Sequence, residues 1–377
     1  MPLVSVSILY PRYDHPAVEE RFASWQTQML LRASGAELLF HDEWRDVDTE
    51  YVLVVTDPLL LSSRNLPQRL EALIGDAEAA VPVTNEPADE RQRAGERPPY
   101  ITLRELQTVF ETVEQSAVRT ERITWSDADP GVFCCRTALL DTVKGPLPSA
   151  IANRSVVVCH NDYVHRWSSM RGQARADLLD RIPPTATSLL EFGCGEAPLG
   201  AAIKARQKCR VVGVELDPRA AAVARKRIDA IYQGDVREIV SLIHERFDWI
   251  VGGDIVEHLD EPWSFLGELK RISKPGGHLL LSLPNLANVS VVNDLLRGRF
   301  DYVYMGLTCA GHLRFFTRRS IEDMLDIAGW EVDSIESQPV ILTPAAEELL
   351  AKLQAAGVEY SRDDLLAPGY YVTAVNR

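Results

Sequence analysis

The chain has 377 residues, of which 46% are hydrophobic and 25% are charged, a composition typical of globular proteins that contain two or three domains at this length. The formal net charge of −14 argues against a protein that holds nucleic acid by bulk electrostatics, because neutralising phosphates requires a basic surface. The sequence has no apolar run of about 18 residues, no signal peptide and no C-x-x-C pair among its six cysteines, which predicts a cytoplasmic protein with reduced thiols and no membrane span.

Strand-like and helix-like stretches alternate through the first 150 residues, which predicts an α/β domain. The predicted elements, in chain order, are a strand at 3–9, a helix at 16–33, strands at 38–40 and 51–55, a helix at 65–74, a strand at 81–83, a helix at 103–115 and a strand at 131–136. A Pro- and Gly-rich stretch at 144–148 predicts the end of this domain, so we expect one domain at 1–150 and a second at 151–377.

The stretch VSVSILYPRYDHPAVEERFASWQTQ resembles the opening of family-2 glycosyltransferases, which have a strand, a turn and a helix there. Where that family carries a D-x-D motif for metal and nucleotide-sugar, this chain reads Thr56-Asp57-Pro58, with one carboxylate instead of the two that hold a divalent cation beside a diphosphate. The resemblance implies a small, non-catalytic glycosyltransferase-A-like module that serves binding or assembly, with glycan-assembly proteins as its partners. Any other α/β domain would give the same pattern, and that alternative stays open.

The stretch SLLEFGCGEAPLG at 188–200 follows a predicted helix at 162–179 and joins an apolar strand to a helix through Gly193-Cys194-Gly195. Glycine permits positive φ and close approach of the backbone to a ligand, and the N-terminus of the following helix offers free N–H groups. Glu215 lies 22 residues after Gly193, at the end of the next apolar run, where an acidic side chain can accept hydrogen bonds from both hydroxyls of a ribose. The glycine turn alone is typical of many tight turns, but the two features together indicate a nucleotide-like ligand.

Further strand ends follow in order, with Gly234-Asp235 after the third strand, GGDIVEHL after the fourth and Pro284-Asn285 after the fifth. The tail at 331–377 predicts a strand, a helix and a last strand. Five β-α units in this order, followed by this tail, predict a seven-stranded, Rossmann-like sheet whose ligand lies at the carboxyl ends of the strands.

The motifs E-F-G-C-G, the acidic end of the second strand and D-x-x-E-H-L resemble those of class I S-adenosylmethionine-dependent methyltransferases over about residues 155–377. The resemblance implies that S-adenosylmethionine is the cofactor, that Glu215 holds its ribose and that Asp235 contacts the adenine amino group. The residues expected to line the cofactor are Glu191, Gly193, Cys194, Gly195, Glu215, Leu216, Asp235, Val236 and Asp254, the last on the methionine or sulfonium side. Ala197 stands where the family usually has a third glycine, which predicts a stiffer loop. A NAD-dependent dehydrogenase is disfavoured because the acidic loop after the fourth strand has no role in that class of enzyme.

The catalytic candidates are His258 and Glu257, at the predicted mouth of the pocket. An imidazole with a pKa near its ordinary value of about 6.5 can deprotonate a hydroxyl, whereas the alternative is a loop histidine that only binds backbone. A similar acidic-x-x-Glu-His motif with a later histidine binds a divalent metal in quinone-biosynthesis O-methyltransferases and small-RNA 2′-O-methyltransferases. By that resemblance Glu257, His258 and His312, with Asp254 as a further candidate, would hold Mg²⁺, Mn²⁺ or Zn²⁺, and both mechanisms stay open.

The insertion at 284–317 is rich in asparagine, aromatic residues and arginine, and it resembles methyltransferases of bacterial surface-polysaccharide synthesis. It supplies the expected substrate contacts Asn285, Tyr304 and Arg314. The leading hypothesis is therefore methyl transfer to a hydroxyl of a sugar or glycan. The alternatives are a small aromatic or quinone-like acceptor and, disfavoured by the acidic charge, an RNA 2′-hydroxyl.

Overall fold

The computed structural model describes residues 6–13, 18–58, 60–85, 87, 90–95, 97–126, 128–143, 145–166 and 175–377. The chain folds as two units, an N-terminal unit of Met1–Ser168 with Asp301–Gly311 and a C-terminal unit of Ser169–Phe300 with His312–Arg377. Predicted element positions at 3–5, 16–17 and 167–174 lie outside the described residues.

The N-terminal unit alternates strands and helices, as predicted. Its strands are β1 (Val6–Tyr10), β2 (Leu38–Phe40), β3 (Tyr51–Val55), β4 (Leu60–Ser62), β5 (Ala79–Thr84), β6 (Thr120–Thr124), β7 (Val132–Arg136) and β8 (Ser155–Arg166), and its helices are α1 (Val18–Arg32), α2 (Leu66–Ile74) and α3 (Leu103–Gln115). Among the described residues, the eight strands form one sheet in the order β2-β1-β3-β7-β5-β8-β4, with β6 also paired to β8. Near-continuous apolar runs in β1, β3 and β5 bury side chains on both faces of this sheet.

Strand β8 corrects two predictions, the helix at 162–179 and the domain boundary at 150. Residues 162–166 continue β8, and helix structure among the described residues of that range is limited to α4 (Ala176–Leu179). Because β8 pairs with β4, β5 and β6, it belongs to the N-terminal sheet and carries that unit on to Ser168. The sequence pattern did not indicate this strand because β8 contains buried polar residues. One of them is Asp162, whose carboxylate accepts a hydrogen bond from Arg69.

The carboxyl end of β3 carries Asp57, at the position that the glycosyltransferase resemblance assigns to a metal-binding acid. Arg166 Nε donates to Asp57 Oδ2 at 2.8 Å, and both side chains are less than one-fifth exposed. A guanidinium of the same unit therefore already compensates the charge of this carboxylate. The α/β class of the unit is confirmed, and its likeness to glycosyltransferases stays a prediction.

The C-terminal unit has the predicted seven strands among its described residues. The strands are β9 (Ser188–Phe192), β10 (Arg210–Glu215), β11 (Ala230–Gln233), β12 (Phe247–Gly253), β13 (Ser273–Pro284), β14 (Glu331–Ser337) and β15 (Gly369–Val375). The helices after α4 are α5 (Pro198–Arg206), α6 (Pro218–Ala224), α7 (Val236–Leu242), α8 (Pro262–Ile272), α9 (Val289–Leu295), α10 (Arg318–Ile327), α11 (Pro344–Ala355) and α12 (Arg362–Leu366). The strand order is β11-β10-β9-β12-β13-β15-β14, parallel except for β15, which runs antiparallel to both of its neighbours.

Helices cover both faces of the C-terminal sheet. Side chains of α7, α8 and α10 pack on one face, and those of α4, α5 and α6 pack on the other. The packing is close enough to require glycine at Gly252 in β12, where a Cβ would lie 2.0 Å from Cζ of Phe192 in β9. Helices on both faces leave the ends of the strands as the place for a ligand. Within the part of the chain that the structure describes, no helix combines the length and the apolar character needed to cross a membrane.

Candidate functional site

The order of the strands creates a switch point at the carboxyl end of β9. From β9 the chain continues to β10 on one side, and β12 lies on the other side. In open parallel sheets a crevice forms where the order reverses, and ligands bind there. The ends of β9, β10 and β12 carry Glu191, Glu215 and Asp254, so three predicted cofactor residues lie at this edge.

The glycine loop after β9 is held against the end of β10. The N–H groups of Gly193 and Cys194 donate to the carbonyl oxygen of Val214 at 2.9 and 3.1 Å. Gly193 has a φ of +68°, and a Cβ there would lie 2.2 Å from Cδ1 of Ile255, so glycine is required on two counts. Ala197, the predicted departure, is buried and adopts a φ of +57°, a region that favours glycine, so this alanine imposes backbone strain on the loop.

Glu215 joins the glycine loop to the turn that follows β10. Its Oε2 accepts from the N–H of Gly195 at 2.8 Å, and its Oε1 accepts from the N–H of Asp217 at 2.7 Å. Each carboxylate oxygen has a second lone pair, so the group can accept two more hydrogen bonds from a diol. The neighbouring Leu216 is 64% exposed and offers an apolar surface beside the carboxylate.

Asp235 and Val236 lie where α7 begins, after β11. The Asp235 side chain caps the helix by accepting from the N–H of Arg237 at 2.9 Å, and it also forms an ion pair with the Arg237 guanidinium. Hydrogen bonding from Arg237 holds the pKa of Asp235 below its ordinary value. The carboxylate is therefore charged and held in place, and it can accept a further hydrogen bond from an amino group.

Asp254, directly after β12, is bound by a residue that the sequence did not single out. Arg175 Nη1 donates to Asp254 Oδ2 at 2.8 Å, and the Ser282 hydroxyl donates to Asp254 Oδ1 at 2.8 Å. Arg175 Nη2 in turn donates to Ser282 Oγ at 3.1 Å and to Asp177. No spacing pattern distinguishes Arg175 from the other arginines around it, because its role depends on strand ends that are distant in sequence.

Glu191, at the end of β9, is a buried carboxyl group. Its Oε2 accepts no hydrogen bond among the described residues. Burial raises the pKa of Glu191 to about 8, with Glu215 adding to the rise while the N–H of Gly200 and the charge of Arg175 oppose it. Near neutral pH this group is therefore largely protonated in the protein without cofactor.

Replacing Glu191 by glutamine should flatten the pH dependence of stability. A carboxyl group whose pKa is higher in the folded than in the unfolded state stabilises the fold fully below the unfolded value, and this contribution is lost as pH rises through about 8. A shift of this size corresponds to an upper bound on the order of 5 kcal/mol. We expect urea unfolding between pH 5 and pH 9 to show that the free energy of unfolding falls more steeply with pH for the wild type than for Glu191→Gln. Parallel plots of this free energy against pH would contradict a raised pKa for Glu191.

Glu257, His258 and His312 form a cluster beside the end of β12. One potential ligand atom from each residue can be chosen so that all three lie within 4.8 Å of one another. His312 Nε2 lies 3.8 Å from Glu257 Oε1, and both side chains are almost completely buried. The rings of His258 and His312 meet edge to face, with centroids 5.0 Å apart.

Backbone hydrogen bonds explain why residues so distant in sequence meet. A short 3-10 turn at Val256–His258 presents Glu257 inward, and the carbonyl oxygen of Glu257 accepts from the N–H groups of Leu313 and Arg314 at 2.8 and 3.0 Å. This pairing brings the preceding residue, His312, to the two side chains of the turn. The sequence predicted all three members of the cluster, on the basis of the motif resemblance.

The cluster fits a divalent cation. Neither carboxylate oxygen of Glu257 accepts a hydrogen bond among the described residues, although the side chain is buried with Asp254 nearby, and burial raises its pKa well above the ordinary value. A buried carboxylate beside two imidazoles is a suitable donor set for Mn²⁺ or Zn²⁺. Asp254, the fourth predicted candidate, is bound by Arg175 and Ser282 and does not belong to the cluster found among the described residues.

The predicted substrate contacts divide into one accessible and two buried residues. Arg314 is half-buried and donates to the carbonyl oxygens of Leu313 and Asp260. Asn285 is 0% exposed, and its amide donates to the carbonyl oxygens at 364 and 367, so, contrary to the prediction, it supports the end of β13 and offers no accessible surface. Tyr304 is 5% exposed and belongs to the N-terminal unit, so the predicted stacking surface for the substrate is not accessible either.

Comparison with known proteins identifies the class. Residues 166–335 match the family model described as "Methyltransferase domain". Together with the seven-stranded sheet and the motifs at its strand ends, this match shows that the chain carries a class I S-adenosylmethionine-dependent methyltransferase domain. The protein is an S-adenosylmethionine-dependent methyltransferase.

The relatives cover part of the chain. The "Ubiquinone biosynthesis O-methyltransferase" of Cereibacter sphaeroides is 23% identical over 193 residues, which are 50% of this chain and 76% of that protein. A "Probable S-adenosylmethionine-dependent methyltransferase" of Mycolicibacterium smegmatis is 31% identical over 147 residues, 38% of this chain and 52% of that protein. Among solved structures, a methyltransferase from Archaeoglobus fulgidus is 16% identical with a TM-score of 0.40 and covers 53% of this chain and 91% of its own.

Proposed function

We propose that the enzyme transfers a methyl group to a hydroxyl of a small aromatic or quinol-like acceptor. The observation that carries this proposal is the Glu257–His258–His312 cluster, which lies beside the end of β12 and combines a potential base with a potential cation site. Relatives named for O-methylation in ubiquinone biosynthesis support the choice of acceptor class. The sugar or glycan acceptor of the leading sequence hypothesis has less support from these relatives and becomes the second candidate.

The proposed reaction is an in-line displacement. When bound, S-adenosylmethionine would supply an electrophilic methyl group: the acceptor oxygen would bond to this carbon as the carbon–sulfur bond breaks, and the electron pair would stay on sulfur in S-adenosylhomocysteine. The proton of the acceptor hydroxyl passes to a ring nitrogen of His258 and from there to solvent. The protein mainly holds the two reactants in line and removes this proton.

We assign the cofactor to the switch point at β9. Glu215 would accept hydrogen bonds from the ribose hydroxyls, Leu216 would pack on the adenine, and Asp235 would accept from the adenine amino group. The methionine end of the cofactor carries an ammonium and a carboxylate, and Asp254, after β12, forms a matching pair of opposite charges with Arg175, which directly precedes α4. Binding would therefore replace part of the Arg175–Asp254 ion pair by contacts to the cofactor.

A divalent cation would be held by Glu257, His258 and His312. When bound, such an ion lowers the pKa of a hydroxyl beside it. Independently of the ion, the hydrogen bonds from Leu313 and Arg314 to the carbonyl of Glu257 keep His258 and His312 facing each other. Two imidazoles favour Mn²⁺ or Zn²⁺ over Mg²⁺, which prefers oxygen ligands.

A glycan acceptor is the second candidate, favoured by the polysaccharide-type sequence of the 284–317 insertion. In that case we propose that the N-terminal unit docks to glycan-assembly proteins. The acidic net charge makes an RNA 2′-hydroxyl the weakest of the three candidates. A cytoplasmic location suits all three and stays a prediction.

One assay separates these acceptors. The purified protein is incubated with S-adenosylmethionine and, in parallel, with 3,4-dihydroxybenzoate, a set of methyl glycopyranosides or an RNA duplex, and S-adenosylhomocysteine is measured. We expect product with the diphenol and background with the other two. Product with the glycosides alone would replace the proposed acceptor class by the second candidate, and product with the RNA alone would overturn both.

A further inference from the structure

The segment Asp301–Gly311, which we call the arm, belongs to the N-terminal unit although the residues on both sides of it belong to the C-terminal unit. Its backbone closes it into a loop, because the N–H of Val303 donates to Thr308 O at 3.1 Å and the N–H of Ala310 donates to Val303 O at 2.8 Å. The Thr308 hydroxyl also donates to the carbonyl oxygen of Asp301 at 2.7 Å. The arm is therefore a folded loop with a defined shape and not an extended tether.

Helix α1 of the N-terminal unit holds the arm at Tyr302. Gln26 Nε2 donates to the carbonyl oxygen of Tyr302 at 3.1 Å. The ring of Phe22 meets the ring of Tyr302 edge to face, with centroids 6.3 Å apart, a geometry that is favourable for aromatic pairs. Val303 and Cys309 of the arm are buried and pair with each other through a β-bridge, so these two side chains belong to the folded loop itself.

The arm ends at Gly311, and the next residue is His312 of the Glu257–His258–His312 cluster. On the far side of His312, the backbone is fixed by the hydrogen bonds of Leu313 and Arg314 to Glu257 O. On the near side, the N–H of Gly311 lies 3.4 Å from Cys309 Sγ within the arm. The position of the imidazole therefore depends on two anchors, and the second of these is the arm.

We propose that Phe22 and Gln26 of α1 are positioning residues for methyl transfer, because they hold the arm and thereby fix the backbone from which the His312 imidazole projects towards Glu257 and His258. This inference rests on the proposed function of the cluster. The cofactor residues Glu215 and Gly195 are bonded to each other within the C-terminal unit and do not involve the arm. Loss of the α1 contacts should therefore affect turnover and leave cofactor affinity unchanged.

The test compares Gln26→Ala and Tyr302→Ala with the matched control Gln28→Ala, which removes the same type of side chain from the same helix, where it donates to the Ser24 hydroxyl within α1. The His312 imidazole is observed by NMR in full-length protein with labelled histidine, and its signal is assigned by its loss in His312→Gln. We expect this signal to move in the two variants and not in the control. We also expect kcat to fall at least about 10-fold with an unchanged Kd for S-adenosylmethionine, because small misplacements of a catalytic group reduce rates strongly.

An unmoved His312 signal in both variants would overturn the inference, whether or not kcat falls. Because Gln26 is half-buried at a helix surface, its truncation should leave the fold intact, and cofactor binding by each variant serves as the check. If the wild type lacks cofactor binding or turnover, the proposed function fails, whereas the NMR comparison still decides whether α1 positions His312. The two failures can therefore be told apart.

Discussion

Replacing Glu215 by alanine is expected to weaken S-adenosylmethionine binding by roughly 100-fold or more, as measured by calorimetry. Two hydrogen bonds from ribose hydroxyls to a carboxylate are each worth about 1.5–3 kcal/mol, and every 1.4 kcal/mol is about a factor of ten in Kd. The variant also removes the acceptor for the N–H groups of Gly195 and Asp217, so the glycine loop keeps its backbone hydrogen bonds to Val214 of β10 but loses the one to the Glu215 side chain.

Two further variants make this result specific. Glu215→Gln keeps the size of the side chain and one acceptor oxygen, so it should fall between the wild type and alanine. Glu245→Ala removes a carboxylate that pairs with Arg210 at the opposite end of β10, and it should leave the Kd unchanged. Equal binding by all four proteins would remove Glu215 from the cofactor site, and absence of binding by the wild type would contradict the identification itself.

Replacing His258 or His312 by alanine is expected to lower turnover by about 10²–10⁴-fold, with the Kd for S-adenosylmethionine within about threefold of the wild type. Removing a general base or a metal ligand affects proton removal from the acceptor, whereas the cofactor contacts at β9 and β10 stay in place. His244→Ala is the matched control, because His244 is exposed in the same unit and belongs to no part of the cluster. Turnover at the wild-type level in both cluster variants would exclude the cluster from the chemistry.

A chelator titration of the wild type separates the two roles of the cluster. If a cation assists the reaction, the chelator should reduce turnover to the level of the variants, and Mn²⁺ or Zn²⁺ should restore it. If His258 acts as a plain base, the chelator should have no effect on turnover, whereas His258→Ala still lowers it. Either result leaves the methyltransferase class in place.

The sequence predicted the C-terminal sheet and its edge well because the relevant signals are local and repeated. Each apolar run ends in a short polar motif, and a parallel sheet brings all such ends to one edge, so Glu191, Glu215 and Asp254 could be placed together without knowing any tertiary contact. The Glu257–His258–His312 cluster was predicted through motif resemblance, which encodes a long-range contact that spacing alone does not.

What the sequence could not predict depends on pairing between distant residues. The polar positions of β8 suggested a helix, yet residues such as Asp162 are buried with partners from other elements. The role of Arg175 follows only from its hydrogen bonds to Asp254, which follows β12, and to Ser282 in β13. Asparagine is a residue type that often contacts polar substrates. The amide of Asn285, however, donates to the carbonyl oxygens of Asp364 and Ala367, about 80 residues further along the chain.

The arm also limits how the protein can be divided. A fragment that begins at Ser169 would retain all seven strands of the methyltransferase sheet, but it would carry the arm without helix α1. In the full chain the arm buries the apolar side chains of Val303, Leu307 and Cys309, and removal of the residues before Ser169 would expose part of this surface to water. Truncation at the apparent domain boundary should therefore yield a fragment prone to self-association, so the two units are best expressed as one polypeptide.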